Sequence, residues 1–236
     1  MRLLYVHNDY GSPSGEENAA QAIGNLLEAH QHEVFWLRRS SAEIVGSIAG
    51  KFKAFLAGIH NPFAARAIAK ELEEVKPDIV QVQNLYPLLS PSIFRPIKER
   101  KIPVVMRCPN YRLFCPNGLH LSKGRLCESC LGPGRELWCV LKNCEGNLPK
   151  SMGYALRNAW ARMSGSILRN VDMFIVQTEL QKQKCSQRGI AESRIGIVPA
   201  LVCCKGFAEP GDSGDMVTFV GRVSPQKGYC GFTGRC

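Results

Sequence analysis

Residues 2–37 read RLLYVHNDYGSPSGEENAAQAIGNLLEAHQHEVFWL, and this stretch decides the fold class. Residues 2–7 form a short apolar run that reads as a buried strand. A polar loop rich in Gly, Pro and Ser follows over residues 8–15. Apolar residues then recur at Ala19, Ala22, Ile23, Leu26 and Leu27, the spacing of one helix face. Residues 32–37, HEVFWL, read as a second strand. Strand, loop, helix, strand is the pattern of a parallel α/β unit.

The alternation continues outward. Helices are predicted over 42–56, 62–75, 90–99, 151–168 and 179–188, with Asn61-Pro62 as a helix start. Strands are predicted over 79–82, 103–106, 173–176 and 194–198. The fold class expected is therefore a Rossmann-like parallel sheet flanked by helices. Two segments break the rhythm. Residues 108–150 hold six cysteines, several Gly and Pro, and no clear period; a loop of that length inside a compact domain needs its own reason to be ordered. Residues 207–215, FAEPGDSGD, have the composition of a linker, and 216–220, MVTFV, start a new strand.

Of the 236 residues, 45% are apolar and 21% charged, an ordinary globular composition. The net charge of +10 is concentrated: between Arg95 and Arg169 there are fourteen Lys or Arg against four Glu, and the remainder is neutral. One basic zone implies an anionic partner, or a solvated basic surface. No apolar run reaches the roughly 18 residues of a membrane-spanning helix, and the start lacks the apolar segment of a signal peptide. The reading is a cytoplasmic chain, with peripheral contact at the inner face of the cell membrane left open. The predicted helix 151–168 bears on this. It carries Arg157 and Arg162 among Met152, Tyr154, Leu156, Trp160 and Met163. Such a helix packs its stripe into the core or lies on an anionic membrane; core packing is the plainer reading.

Six of the eleven cysteines fall between Cys108 and Cys144. A local cluster in a cytosolic chain points first to metal. Cys127-x2-Cys130 is a good chelating pair and Cys139-x4-Cys144 a looser one. Four thiolates suit a structural zinc, with Cys115 as a substitute ligand, and such a closed site would not catalyse. Reduced thiols and disulfides are the alternatives.

Several segments together resemble the family 4 type of GT-B glycosyltransferases. The opening residues, with Ser14-Gly15-Glu16-Glu17, resemble its first strand and Gly-rich loop. PDIVQVQNLYPLLSPSI (77–93) resembles its acceptor-side strand and loop. NYRLFCPNG (110–118) with the Cys-rich stretch resembles an insertion found in a subgroup. FIVQTELQKQKCSQRGI (174–190) resembles the end of its first domain, and VGRVSPQKG (220–228) the G-R-x(4)-K-G segment opening its second. The resemblance implies an N-terminal acceptor-binding domain over 1–206, with the Cys-rich insertion at 108–150, a linker at 207–215, and the start of a donor-binding domain at 216–236. It implies transfer of a sugar from a nucleotide sugar to a polysaccharide or lipid-linked acceptor, with retention and without a catalytic metal.

The resemblance also distributes roles. Gly15, Gly221, Arg222, Lys227 and Gly228 would contact the donor. Ser14-Gly15 begins a helix, where free backbone N–H groups can meet phosphate. Asn84, Tyr86, Asn110, Tyr111 and Arg112 follow predicted strands, on the ligand-binding side of such a sheet. They are candidates for acceptor recognition, or else capping and packing residues. The family often has a His immediately before the position of Asn110. This chain has Pro109, so no catalytic base is assigned. Glu16 and Glu17 would orient an acceptor hydroxyl or complement the helix dipole, the second being favoured. YCGFTGRC (229–236) does not continue as the helix the resemblance leads one to expect. The expectation is a truncated chain, ended by a frameshift or gene fragmentation near Tyr229. It would bind donor weakly or not at all and have negligible transferase activity by itself. The rival reading is a non-catalytic, zinc-stabilised basic module on nucleic acid or an anionic membrane. No nucleic-acid motif is recognisable in the basic zone, which makes nucleic acid the weaker partner.

Overall fold

The computed structural model describes residues 1–10, 14–44, 48–201 and 219. The expected linker and the donor-side residues Gly221, Arg222, Lys227 and Gly228 lie outside them, as does 216–220 apart from Phe219. Among the described residues, one six-stranded parallel sheet forms the centre. Its strands are β1 (Arg2–Asp9), β2 (Glu33–Ser40), β3 (Ile79–Asn84), β4 (Val104–Arg107), β7 (Met173–Val176) and β8 (Ile195–Ile197), in the order β2-β1-β3-β4-β7-β8. A two-stranded antiparallel hairpin, β5 (Leu121–Ser122) and β6 (Arg125–Leu126), lies within the Cys-rich stretch 108–150. The helices are α1 (Gly15–Ala29), α2 (Ile48–Ile59), α3 (Pro62–Val75), α4 (Phe94–Glu99), α5 (Leu137–Leu141), α6 (Leu148–Ser164) and α7 (Glu179–Gln187). The Rossmann-like α/β class read from the sequence is the class observed.

Both faces of β1 are buried, as expected of a central parallel strand. Leu4 and Val6 enter the main core with Ile68, Val80, Val82, Phe94 and Phe174. Leu3 and Tyr5 pack on the opposite face with Ala20, Ile23, Leu27 and Trp36. Each fully buried aliphatic side chain contributes about 1.5–3 kcal/mol relative to exposure. The Tyr5 and Trp36 rings stack 4.4 Å apart. Gly24 lets α1 close over that pair, because a Cβ there would come within 2.6 Å of the Trp36 ring.

Helix starts follow the side chains that cap them. Ser14 Oγ accepts the Glu17 N–H at 3.3 Å. Asn61 Oδ1 accepts from Phe63 and Ala64, with Pro62 first in α3. Two expected helices are broken. The 42–56 prediction resolves into a 3-10 turn, Ser41–Glu43, and then α2. Glu43 accepts the Ser40 N–H while Ser40 accepts from Ala42, a closed local box that caps the start of this turn and sets it apart as its own short element. The 90–99 prediction splits into a 3-10 turn, Pro91–Ile93, followed by α4.

Helix α6 reverses the plainer sequence reading. Its buried residues are Ser151, Ala155, Arg157 and Asn158. Leu148, Met152, Leu156, Trp160 and Met163 are exposed, Trp160 at 53% and Met163 at 69%. The apolar stripe faces outward because the inward face meets the polar end of the sheet described next. No helix among the described residues is long and apolar enough to cross a membrane.

Candidate functional site

In an open parallel sheet, ligands bind beyond the C-terminal strand ends, at the point where strand order reverses. Here β1 lies between β2 and β3, so that point is the end of β1 and β3. The polar residues found there are His7, Asn8 and Asp9 from β1, Gln83 and Asn84 from β3, and Arg107 from β4. Of these, Gln83, Asn84 (tied to β1 through Asn8 O) and Arg107 line a cavity of about 40 Å³ together with Tyr86, Asn110, Arg112 and Asn158, among others. That is room for two or three waters, or for the oxygens of one anionic or hydroxyl group, since a water needs roughly 10–15 Å³.

Four of the five acceptor candidates thus converge on one cavity. Asn84 is already engaged: its Nδ2 donates to Asn8 O at 2.7 Å and its Oδ1 accepts from Tyr86 N at 3.4 Å. It shapes the site more than it offers a free amide. Asn110 Oδ1 accepts the Arg112 N–H at 3.0 Å, which leaves its amide nitrogen for a ligand. Tyr111 is placed elsewhere. Its ring stacks on His120 at 4.3 Å and packs against the core.

Three arginines dominate the cleft, and of these the sequence reading selected only Arg112 for it. Arg107 ends β4, is 3% exposed, and has no hydrogen-bond partner for Nε or Nη1 among the described residues. The predicted strand stopped one residue before it. The rule that selected Asn84 and Asn110, a polar side chain at a parallel strand end, would have found it. Arg112 Nη1 donates to Tyr10 Oη at 3.4 Å, while its Nε is unpartnered among the described residues. Arg157, from α6, is held between two rings, 4.0 Å from the centre of Tyr86 and 4.5 Å from that of Tyr154. Burial holds its guanidinium below its usual value.

One carboxylate answers these cations. Glu16 Oε2 accepts from Tyr10 Oη at 2.8 Å, and its backbone oxygen accepts from Gln83 Nε2 at 3.1 Å. Burial raises the Glu16 carboxyl above the usual range, against the pull of Tyr10, Arg112 and Arg107. Glu17 Oε1 accepts the Tyr10 N–H at 2.5 Å. Both acids therefore hold Tyr10 at the mouth of the cleft, a role beyond the helix-dipole reading. Gly15 is the first residue of α1, and the space a Cβ would take there is open. With more guanidinium than carboxylate in a dry setting, the arrangement attracts an anion and offers hydrogen bonds to hydroxyls.

The Cys cluster lies apart from this cleft. Cys130 and Cys139 are buried together with Ala155, and Cys144 packs against them. Cys115 and Cys127 lie within electrostatic reach of Cys130. All seven described cysteines are free. Burial and neighbouring thiols push Cys130 up to about 12. Cys127 behaves differently. Burial would raise it, but Ser129 and the Lys142 ammonium, 3.3 Å from its Sγ, outweigh this and hold it below its usual value. The thiols converge, yet among the described residues no three His, Cys, Asp or Glu side chains are arranged to hold a metal ion.

No family model matches the sequence, and no curated protein matches it. Solved structures do. The UDP-GlcNAc 2-epimerase of Methanocaldococcus jannaschii is 15% identical with a TM-score of 0.47, covering 85% of this chain and 46% of its own. The apo form of the lipopolysaccharide outer core galactosyltransferase WaaB is 13% identical with a TM-score of 0.48, covering 92% and 50%. A UGT transferase of Siraitia grosvenorii in complex with UDP is 14% identical with a TM-score of 0.44, covering 88% and 49%. The chain spans about half the length of these structures, and likeness at this level carries no information about chemistry.

Proposed function

We propose that the chain is the acceptor-binding side of a nucleotide-sugar-dependent, retaining glycosyltransferase of the family 4 type. Its acceptor is a polysaccharide or lipid-linked glycan that carries an anionic group. The observation that carries the reading is Arg107, a buried guanidinium with two nitrogens unpartnered among the described residues, set among Asn110, Arg112 and Asn158 at the C-terminal ends of β3 and β4, next to the strand-order switch point. Amides and guanidinia in that setting suit hydroxyls and a phosphate or uronate oxygen. The open space at Gly15, at the start of α1, suits a donor phosphate, and the family resemblance gives Gly221, Arg222, Lys227 and Gly228 as the remaining donor contacts. Calorimetric titration with glucose 1-phosphate, a uronate-containing trisaccharide and neutral maltotriose tests this. The two anionic sugars are expected to bind at least tenfold more tightly, the worth of one charge-assisted hydrogen bond. Equal or absent binding contradicts the reading.

A structural zinc on Cys127, Cys130, Cys139 and Cys144 belongs to the same proposal, supported by the convergence of these thiols. As arranged, the side chains do not fit the ion: no three potential ligands among the described residues are grouped for a metal, and Cys127 Sγ accepts from Lys142. Metal analysis of the purified chain decides it: one zinc per chain, lost in Cys130→Ser, supports the site, and a metal-free chain removes it.

The exposed face of α6 supports a working position on an anionic membrane at the inner face of the cell. Leu148, Met152, Leu156, Trp160 and Met163 repeat at intervals of three or four residues, a continuous outward stripe within the basic zone. An amphipathic helix of this kind binds through buried apolar area plus attraction to anionic lipid. In vesicle sedimentation, Trp160→Glu is expected to weaken binding to phosphatidylglycerol vesicles about tenfold, and neutral vesicles should bind neither form. Unchanged sedimentation of the variant contradicts the assignment.

A further inference from the structure

A second cavity, of about 340 Å³, lies between the C-terminal ends of α6 and α7 and the Cys-rich insertion. Its volume falls at the small end of small-molecule sites, roughly 300–1,000 Å³. Leu113, Ala161 and Ile167 line both cavities and form the partition between them. Most of the remaining wall is apolar, from Phe114, Leu168 and Ile190. Two guanidinia, Arg162 and Arg188, also reach it.

The charge in this cavity does not balance. Glu136 is buried and bound to Arg162, with Nε 2.7 Å from Oε1. Arg188 reaches the same oxygen only at 3.9 Å. Its side chain is 9% exposed, and its Nη1 has no hydrogen-bond partner among the described residues. One carboxylate thus serves two guanidinia. A buried donor left without an acceptor is unfavourable, and a buried excess cation more so. The walls meanwhile offer apolar contact that water does not exploit.

We propose that this cavity binds a small amphiphilic anion, with a carboxylate or phosphate head on Arg188 and a short apolar body against Phe114, Leu168 and Ile190. The head completes the guanidinium as a charge-assisted pair, and the body displaces water from the apolar wall. The inference is independent of the sugar-binding reading, because it uses neither Arg107 nor Arg112.

Calorimetric titration of the full chain with octanoate, octyl phosphate and 1-octanol tests it. Both anions are expected to bind saturably, with 1-octanol at least about tenfold weaker. The tighter of the two anions identifies the head group. Arg188→Met should lose about tenfold for the anions and nothing for the alcohol. Leu168→Trp should fill the cavity and abolish binding of all three. Glu136→Gln removes the competing carboxylate and should tighten anion binding several-fold, an effect that loss of structure would not produce. Equal binding of anion and alcohol, unchanged affinity in Glu136→Gln, or no saturable binding overturns the proposal.

Discussion

Arg107→Met is expected to stabilise the folded chain by about 2 kcal/mol while weakening glucose 1-phosphate binding at least tenfold. The two effects have one cause. Arg107 is 3% exposed, and Nε and Nη1 lack partners among the described residues. Glu16 lies within electrostatic reach but hydrogen-bonds to Tyr10 instead. A cation held dry without full pairing lowers stability, and a linear apolar side chain of similar length removes that penalty. The same unpaired nitrogens are what an anionic ligand would engage. Urea unfolding gives the first quantity and calorimetry the second. A variant less stable than the parent by more than about 1 kcal/mol would mean that the guanidinium is satisfied within the fold, and Arg107 would then be structural.

The chain is also expected to lose about 2 kcal/mol of stability between pH 7 and pH 5 through His7 alone. His7 is wholly buried, neither ring nitrogen has a hydrogen-bond partner among the described residues, and Asp9 Oδ1 is 3.4 Å away. Burial, with Arg38 adding to it, pulls its pKa from 6.5 to about 4. The unfolded chain therefore takes up a proton near 6.5 that the folded chain refuses until about 4. Stability is full above the first value and falls progressively toward the second. Glu16 runs the other way: its raised carboxyl favours the folded state as pH falls through the ordinary carboxylate range. The measurement is therefore a difference. Urea unfolding of the parent and of His7→Gln at pH 7 and pH 5 should show the parent losing about 2 kcal/mol more. Equal losses would mean that His7 is protonated in the fold, paired with Asp9.

The parallel sheet was legible because its signal is local. Apolar runs ended by polar loops mark β1 and β3, and Asn61-Pro62 announces the start of α3 in its own side chains. Asn84, Tyr86, Asn110 and Arg112 were found by position, since every parallel strand aims its C-terminal end at the same edge. What failed depended on tertiary contacts. The period of α6 shows two faces but not which one is covered. Arg157 and Asn158 turn inward because Tyr86, Tyr154 and the Arg112 carbonyl give them partners there. Tyr111 follows a strand end as Asn110 does, yet His120, brought beside it by the path of the Cys-rich stretch, takes its ring. The convergence of the cysteines was readable from their spacing. The Lys142 contact to Cys127 was not, because the two lie 15 positions apart and are joined by an irregular loop and the short helix α5.

The most direct test of the sugar-binding cleft is side-chain nitrogen NMR of the full chain, titrated with glucose 1-phosphate. The arginine Nε–H signals of Arg107 and Arg112 and the amide signals of Asn110 and Asn158 should shift together along one saturation curve. The Asn84 amide, already bonded to Asn8 and Tyr86, should move less. Silence at Arg107 and Arg112 while other signals respond, or no saturable response at any concentration, would contradict the account.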